Sequence, residues 1–184
     1  MSYRLTIDGM GRLQALLGVT DKEVQRATRN ALNTGATEIK RDMVNAINAG
    51  TGLKKKLVRA RIQVRRAKNA NAEARLASDS QGLPITEYIW RAEPTGHPTR
   101  ARVVIRWFGV WKVAPGFVNP ASQIPVPLKT RTPSGVLPRP VLAHGLSVAA
   151  AFKRVRDDGR LEKFTFRLAE IAEEKLADQI ARRR

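Results

Sequence analysis

Residues 20–52 read Thr20-Asp-Lys-Glu-Val-Gln-Arg-Ala-Thr-Arg-Asn-Ala-Leu-Asn-Thr-Gly-Ala-Thr-Glu-Ile-Lys-Arg-Asp-Met-Val-Asn-Ala-Ile-Asn-Ala-Gly-Thr-Gly52. Thr20-Asp-Lys-Glu23 is a capping-box signature: the threonine hydroxyl accepts from the amide three residues on, and the glutamate reaches back. Behind it Val24, Ala27, Ala31, Leu32, Gly35, Ile39, Met43, Ala46 and Ile47 recur at intervals of three and four, which places one apolar stripe on a helix. Gly50-Thr-Gly52 ends the pattern. The spacing therefore predicts a helix over Asp21 to Asn48, roughly 40 Å long at about 1.5 Å per residue. Ala27, Ala31 and Gly35 are small enough to let another element approach its first half closely.

Outward from this helix the periodicity changes. Tyr3 to Ile7 alternates as a short strand, and Gly9 and Gly11 break it before Leu13 to Leu17. Leu53 to Ala60 suits a short basic helix; Ile62 and Val64 then alternate in the strand sense, Lys68-Asn-Ala-Asn71 turns, and Ala72, Ala74 and Leu76 return as the second arm of a hairpin. Gly82-Leu-Pro84 opens a segment to Trp90, Pro94 to Pro98 is a turn cluster, and Arg102-Val-Val-Ile-Arg-Trp-Phe108 is the strongest strand. Seven of the ten prolines fall between Pro115 and Pro140, which predicts a long ordered loop or extended arm there. Leu146 to Val155 and Leu161 to Ile180 read as helices separated by Asp157-Asp-Gly159. The fold class is α+β: one domain over 1–184, with a small, mainly antiparallel sheet packed on the long N-terminal helix and the C-terminal helices, and a proline-rich arm at 115–140.

Composition narrows the chemistry. The 184 residues are 42% hydrophobic, enough to bury a core and too apolar for a disordered basic tail. Zero cysteines exclude disulfides, cysteine-ligated metals and thiol catalysis, and two histidines exclude a multi-histidine site. The N-terminus shows no signal pattern and no run of about 18 apolar residues spans a membrane, so a soluble chain made in the cytoplasm is expected. His144 and Ser147, on a shared helical face, lack a third member and a nucleophile elbow. Asp157, Asp158 and Glu162 read as helix-capping acids in preference to a cation site. Neither an enzyme nor a cofactor is expected.

Charge carries more information. Lys and Arg number 34 against 16 acids, a net +18, of which +10 lies in residues 51–112. Its densest part is Lys54, Lys55, Lys56, Arg59, Arg61, Arg65, Arg66 and Lys68, eight bases in sixteen residues without an acid. Such a run contacts phosphates or an acidic partner, or is a solvated face. No recognition-helix module is present, and 5% aromatics make a poor stacking platform, so base-specific reading is not expected. Trp107, Phe108, Trp111 and Phe117 read as core or subunit contact.

Four pieces in order resemble the phage minor tail protein Z family, the tail-completion proteins of lambda-like phages: Arg26-Ala-Thr-Arg-Asn-Ala-Leu-Asn-Thr-Gly-Ala36; Leu53-Lys-Lys-Lys-Leu-Val-Arg-Ala-Arg-Ile62 leading to a hairpin; Gly82-Leu-Pro-Ile85; and Leu137-Pro-Arg-Pro-Val-Leu-Ala-His-Gly-Leu-Ser147. The resemblance extends over most of the length. It implies a structural virion protein at the head-proximal end of the tail, acting late in assembly to join tail to head. It also implies a homo-oligomeric ring, with a hexamer as the natural guess, beside tail terminator, tape-measure and head–tail connector proteins. The basic segment would then face DNA without reading bases. The alternative from charge alone is a free basic nucleic-acid-binding protein, architectural or RNA-associated.

Overall fold

The computed structural model describes residues 2–5, 21–68, 73–132 and 134–160, and, from the C-terminal stretch, 170–171, 174–175, 177–178 and 181. The capping threonine Thr20, the 9–17 segment, the 69–72 turn, Glu162 and most of the helix expected over 161–180 lie outside the described residues. The described elements are β1 (Ser2–Leu5), α1 (Asp21–Thr51), α2 (Lys55–Arg61), β2 (Ile62–Arg65), β3 (Ala74–Ser78), β4 (Gly82–Pro84), a 3₁₀ turn (Ile85–Glu87), β5 (Trp90–His97), β6 (Arg100–Trp107), β7 (Val110–Val118), β8 (Leu128–Thr132), β9 (Gly135–Leu142), β10 (His144–Ser147), α3 (Val148–Val155) and a π-helical turn (Arg156–Arg160). The class is α+β, as the sequence indicates, but the sheet is three sheets. Two compact units form: Met1–Met43 with Arg59–Ser78 and Lys153–Arg184, and Val44–Val58 with Asp79–Phe152.

In the first unit α1 buries the expected residues Ala27, Ala31, Leu32, Gly35, Ile39 and Met43, and Ala36, outside the expected stripe, is buried with them. The small residues do what their size allows, since Ala31 packs against Ile171 of the C-terminal segment, whose described residues 170–171, 174–175, 177–178 and 181 are helical. The hairpin expected after the basic helix is present. β2 and β3 pair antiparallel with Val64 opposite Leu76, and β1 adds to the other side of β3 with Tyr3 opposite Leu76. The order is β1-β3-β2. As the central strand, β3 turns Ala74, Leu76 and Ser78 inward.

The second unit begins with the end of α1. Gly52 at φ +75° donates its N–H to the Asn48 carbonyl at 2.8 Å, and the Asn48 amide donates to the Leu53 carbonyl at 2.7 Å, so the last turn closes where the glycines indicate. A five-stranded antiparallel sheet, β5-β6-β7-β8-β9, makes up most of this unit, and β10 pairs with β4. Here the reading of 115–140 as a loop or arm needs correction. Among the described residues only 119–127 and Ser134 are free of strand; the remainder is the end of β7 and the edge hairpin β8–β9. The reason lies in the registers. Pro115 falls in the interruption between the pairs Arg102↔Phe117 and Val104↔Val113, and Pro138 and Pro140 fall between Arg131↔Val136 and Lys129↔Val141. Proline lacks the ladder donor, and a bulge is where no donor is required. Pro94 in β5, likewise, lies within the shift between Glu93 and His97.

A second correction concerns residues 144–147. These form β10, with a register shift between His144 and Ser147, and α3 starts at Val148. Ser147 accepts the Ala150 N–H at 3.2 Å and caps the helix. Phe152, Val148 and Ala151 then bury one side of α3.

Candidate polyanion-facing surface

The eight basic residues singled out by the sequence divide between the two units. Lys54, Lys55 and Lys56 belong to the second, and Arg59, Arg61, Arg65, Arg66 and Lys68 to the first. In α2 the buried side chain is Val58, so Lys55, Lys56 and Arg59 remain in solvent, and Arg59 and Arg61 suit the negative end of the helix dipole. In β2 the alternation places Ile62 inward and Arg65 outward.

After β2 the chain is fastened to α1. Asn33 donates to the Ala67 carbonyl at 3.3 Å and accepts the Ala67 N–H at 2.9 Å, closing a two-bond ring of the kind a sheet neighbour would make. Arg29 donates to the Lys68 carbonyl at 3.5 Å. Ala67 is thereby held inward, and its neighbours Arg66 and Lys68 project outward. Lys40 shows the local crowding of positive charge. Partial burial and then the Arg59 charge hold its ammonium below the usual lysine range. The folded state thus disfavours the charged form, and stability should rise as pH climbs through the depressed pKa toward the unfolded value of 10.5. Lys40→Met should accordingly raise the melting temperature at neutral pH and remove that alkaline rise. A lower melting temperature for the variant would show that the Lys40 stem contributes more than its charge costs.

A cleft of about 470 Å³ opens beside this segment, lined by Arg26, Asn30, Asn33, Thr34, Thr37, Arg66, Lys175 and Asp178. One of the eight sequence-selected bases, Arg66, lines it; Arg26 and Lys175 escaped that reading because it ranked bases by local density. The signal was present in α1, where Arg26, Asn30, Asn33, Thr34 and Thr37 recur at helical spacing as a polar stripe beside the apolar one.

The five-stranded sheet is a second basic region, with eight bases and one acid between residues 90 and 142. Its aromatics part company. Trp107 is buried and meets Phe108 edge-on at 5.3 Å, whereas Trp111 is 43% exposed with the Arg91 guanidinium 4.3 Å above its ring. Arg100 lies 5.1 Å over half-buried Phe117. Arg91, Val104 and Val113 are in register across β5, β6 and β7, and Trp111 is opposite Arg106. The Arg91–Trp111 contact therefore crosses β6 on the face of Val104, which is buried although its strand neighbours Arg102 and Arg106 are exposed.

The residues considered for chemistry have other partners. His144 Nδ1 lies 3.1 Å from the Leu142 carbonyl, and Ser147 is the α3 cap. Asp157 pairs with Arg156 at 2.9 Å and Asp158 with Arg154 at 3.4 Å. His97 accepts the Thr99 N–H at 3.2 Å in the turn between β5 and β6.

Fold and surface together define an α+β protein whose exposed faces are predominantly cationic. The family model described as prophage minor tail protein Z (GPZ) matches residues 11–107, more than half of the chain, and the protein belongs to that family, making it a structural component of a phage tail. No curated protein and no solved structure matches it. The matched part contains α1, the basic segment and strands β2 to β6; β1 and the Leu137–Ser147 piece of the resemblance lie outside it.

Proposed function

We propose that this tail protein acts at the head-proximal end of the tail, completing it for head–tail joining. It works as a homo-oligomeric ring, a hexamer, against tail terminator, tape-measure and connector proteins. In that position it contacts the DNA end without reading sequence, through Lys54, Lys55, Lys56, Arg59, Arg61, Arg65, Arg66 and Lys68. The observation that carries this reading is the acid-free run of bases, all exposed but half-buried Arg61, inside the family-matched part of the chain. A cationic surface supplies affinity for a phosphate column by counterion release, and needs no base contact to do so.

The test is removal of the gene from a phage that encodes it. Lysates should then accumulate filled heads and separate tails by electron microscopy, and supplying the protein in trans should restore joined particles. Normal particles in its absence would overturn the assignment.

A further inference from the structure

The cleft along α1 has the composition of a site for an oxyanion. Among the described residues its lining holds three cations, Arg26, Arg66 and Lys175, against one acid, Asp178. That acid is loosely engaged by Lys175 at 3.9 Å. Arg26 and Arg66 are both exposed, and among the described residues neither has a hydrogen-bond or ion-pair partner. Among the described residues Asn30 and Thr34 likewise have no side-chain partner, whereas Asn33 is occupied by Ala67 and Thr37 donates to the Asn33 carbonyl at 2.8 Å.

The described lining also favours an oxyanion over other ligands. Among the described residues that line it none is aliphatic or aromatic, so they supply neither an apolar anchor for a protein partner nor a platform for an unstacked base. One carboxylate among three cations, as the described residues have it, is a poor donor set for a metal ion. The cleft volume of about 470 Å³ is more than one free phosphate fills. A guanidinium fork matches phosphate oxygens in two-point geometry, and amide and hydroxyl donors complete the shell.

From these observations we infer that the cleft seats a stretch of DNA phosphodiester backbone, neutralised by Arg26 and Arg66 and hydrogen-bonded by Asn30 and Thr34. The inference rests on the proposed DNA contact and deepens it by adding a built seat to a diffuse basic surface. Arg26 becomes a DNA-contacting residue that local charge density did not select.

The experiment titrates the full chain with a fluorescent duplex of about 20 base pairs at a series of salt concentrations, reading anisotropy. Arg26→Gln/Arg66→Gln should flatten the plot of log affinity against log salt by about two, because each neutralised phosphate contributes about 0.9 to the slope, and should weaken low-salt binding by about tenfold or more. Thr34→Asp places a carboxylate in the cleft without touching either arginine and should weaken binding similarly. Circular dichroism and thermal melting verify that each variant is folded. An unchanged slope in folded variants, with binding still lost in Lys54→Glu/Lys55→Glu/Lys56→Glu, would overturn the cleft assignment and leave the DNA contact standing. A parent chain that binds no duplex would overturn both. Two further probes separate the sources of the anion. If inorganic phosphate shifts the Asn30 amide resonances and duplex does not, the seat is for a free ion; if poly-glutamate competes better than duplex, it is for an acidic protein. Either result would overturn the assignment to DNA backbone.

Discussion

Gly50→Ala is expected to destabilise the second unit by about 2–3 kcal/mol. This is the reverse of the usual helix result, in which exchanging glycine for alanine gains about 1 kcal/mol. The difference is Phe108. A β-carbon on residue 50 would lie 2.4 Å from one ring carbon of Phe108 and 2.5 Å from the next, well inside contact distance. The ring has little freedom to withdraw. Its backbone holds a left-handed φ of +48°, its N–H donates to the Gly50 carbonyl at 2.6 Å, and its ring meets Trp107 in a T-shaped contact. Displacing Phe108 therefore disturbs the turn joining β6 to β7. Urea unfolding of Gly50→Ala, Phe108→Ala and the double variant should reveal a coupling of about 1 kcal/mol or more, with Gly50→Ala nearly harmless once the ring is gone. A Gly50→Ala protein as stable as its parent would mean that the ring swings aside freely.

The second large effect concerns binding. Reversing Lys54, Lys55 and Lys56 to glutamate should weaken low-salt binding of duplex DNA by at least about a hundredfold and flatten its salt dependence by about three. All three side chains are exposed, the first turn of α2 has no acid, and among the described residues the lysines have no ion pair to give up. For the same reason the melting temperature should hardly move. Replacement by glutamine separates loss of attraction from added repulsion: it should flatten the slope equally but weaken binding less. Undiminished binding in the glutamate variant would place the contact on other bases, with Arg91, Arg102 and Arg106 of the five-stranded sheet the next to change.

How much of this could be read in advance depended on how local the determinant was. α1 was legible because a 31-residue amphipathic stripe repeats its message many times, and Gly52 confirms its end with a left-handed turn. The β2–β3 hairpin and β6 were legible for a similar reason, since alternation or β-branching recurs within each strand. The β4–β10 pair was not, because Gly82 and Ser147 meet across a long stretch of sequence and neither strand has an alternation of its own. The proline-rich strands were misread by a sound local rule: proline opposes sheet unless the ladder is interrupted there, and interruptions are set by the partner strand. At residue 147 a local signal was available, since serine three residues before an amide is a cap, yet the apolar periodicity beginning at Leu146 overshadowed it. In the site, charge density located α2 and the 65–68 run, but the cleft follows from a polar stripe on a helix that had been read for its apolar face.

Both outermost strands of the five-stranded sheet, β5 and β9, carry prolines at interruptions of their ladders. An interrupted edge offers an incomplete row of main-chain donors and acceptors, so a strand from another molecule has no continuous template on which to grow. Copies of this chain brought together at high local concentration are thereby denied an easy route to open-ended ribbons. Contacts that use this sheet must be made by side chains, whose chemistry can discriminate between neighbours, and not by backbone pairing, which accepts nearly any sequence.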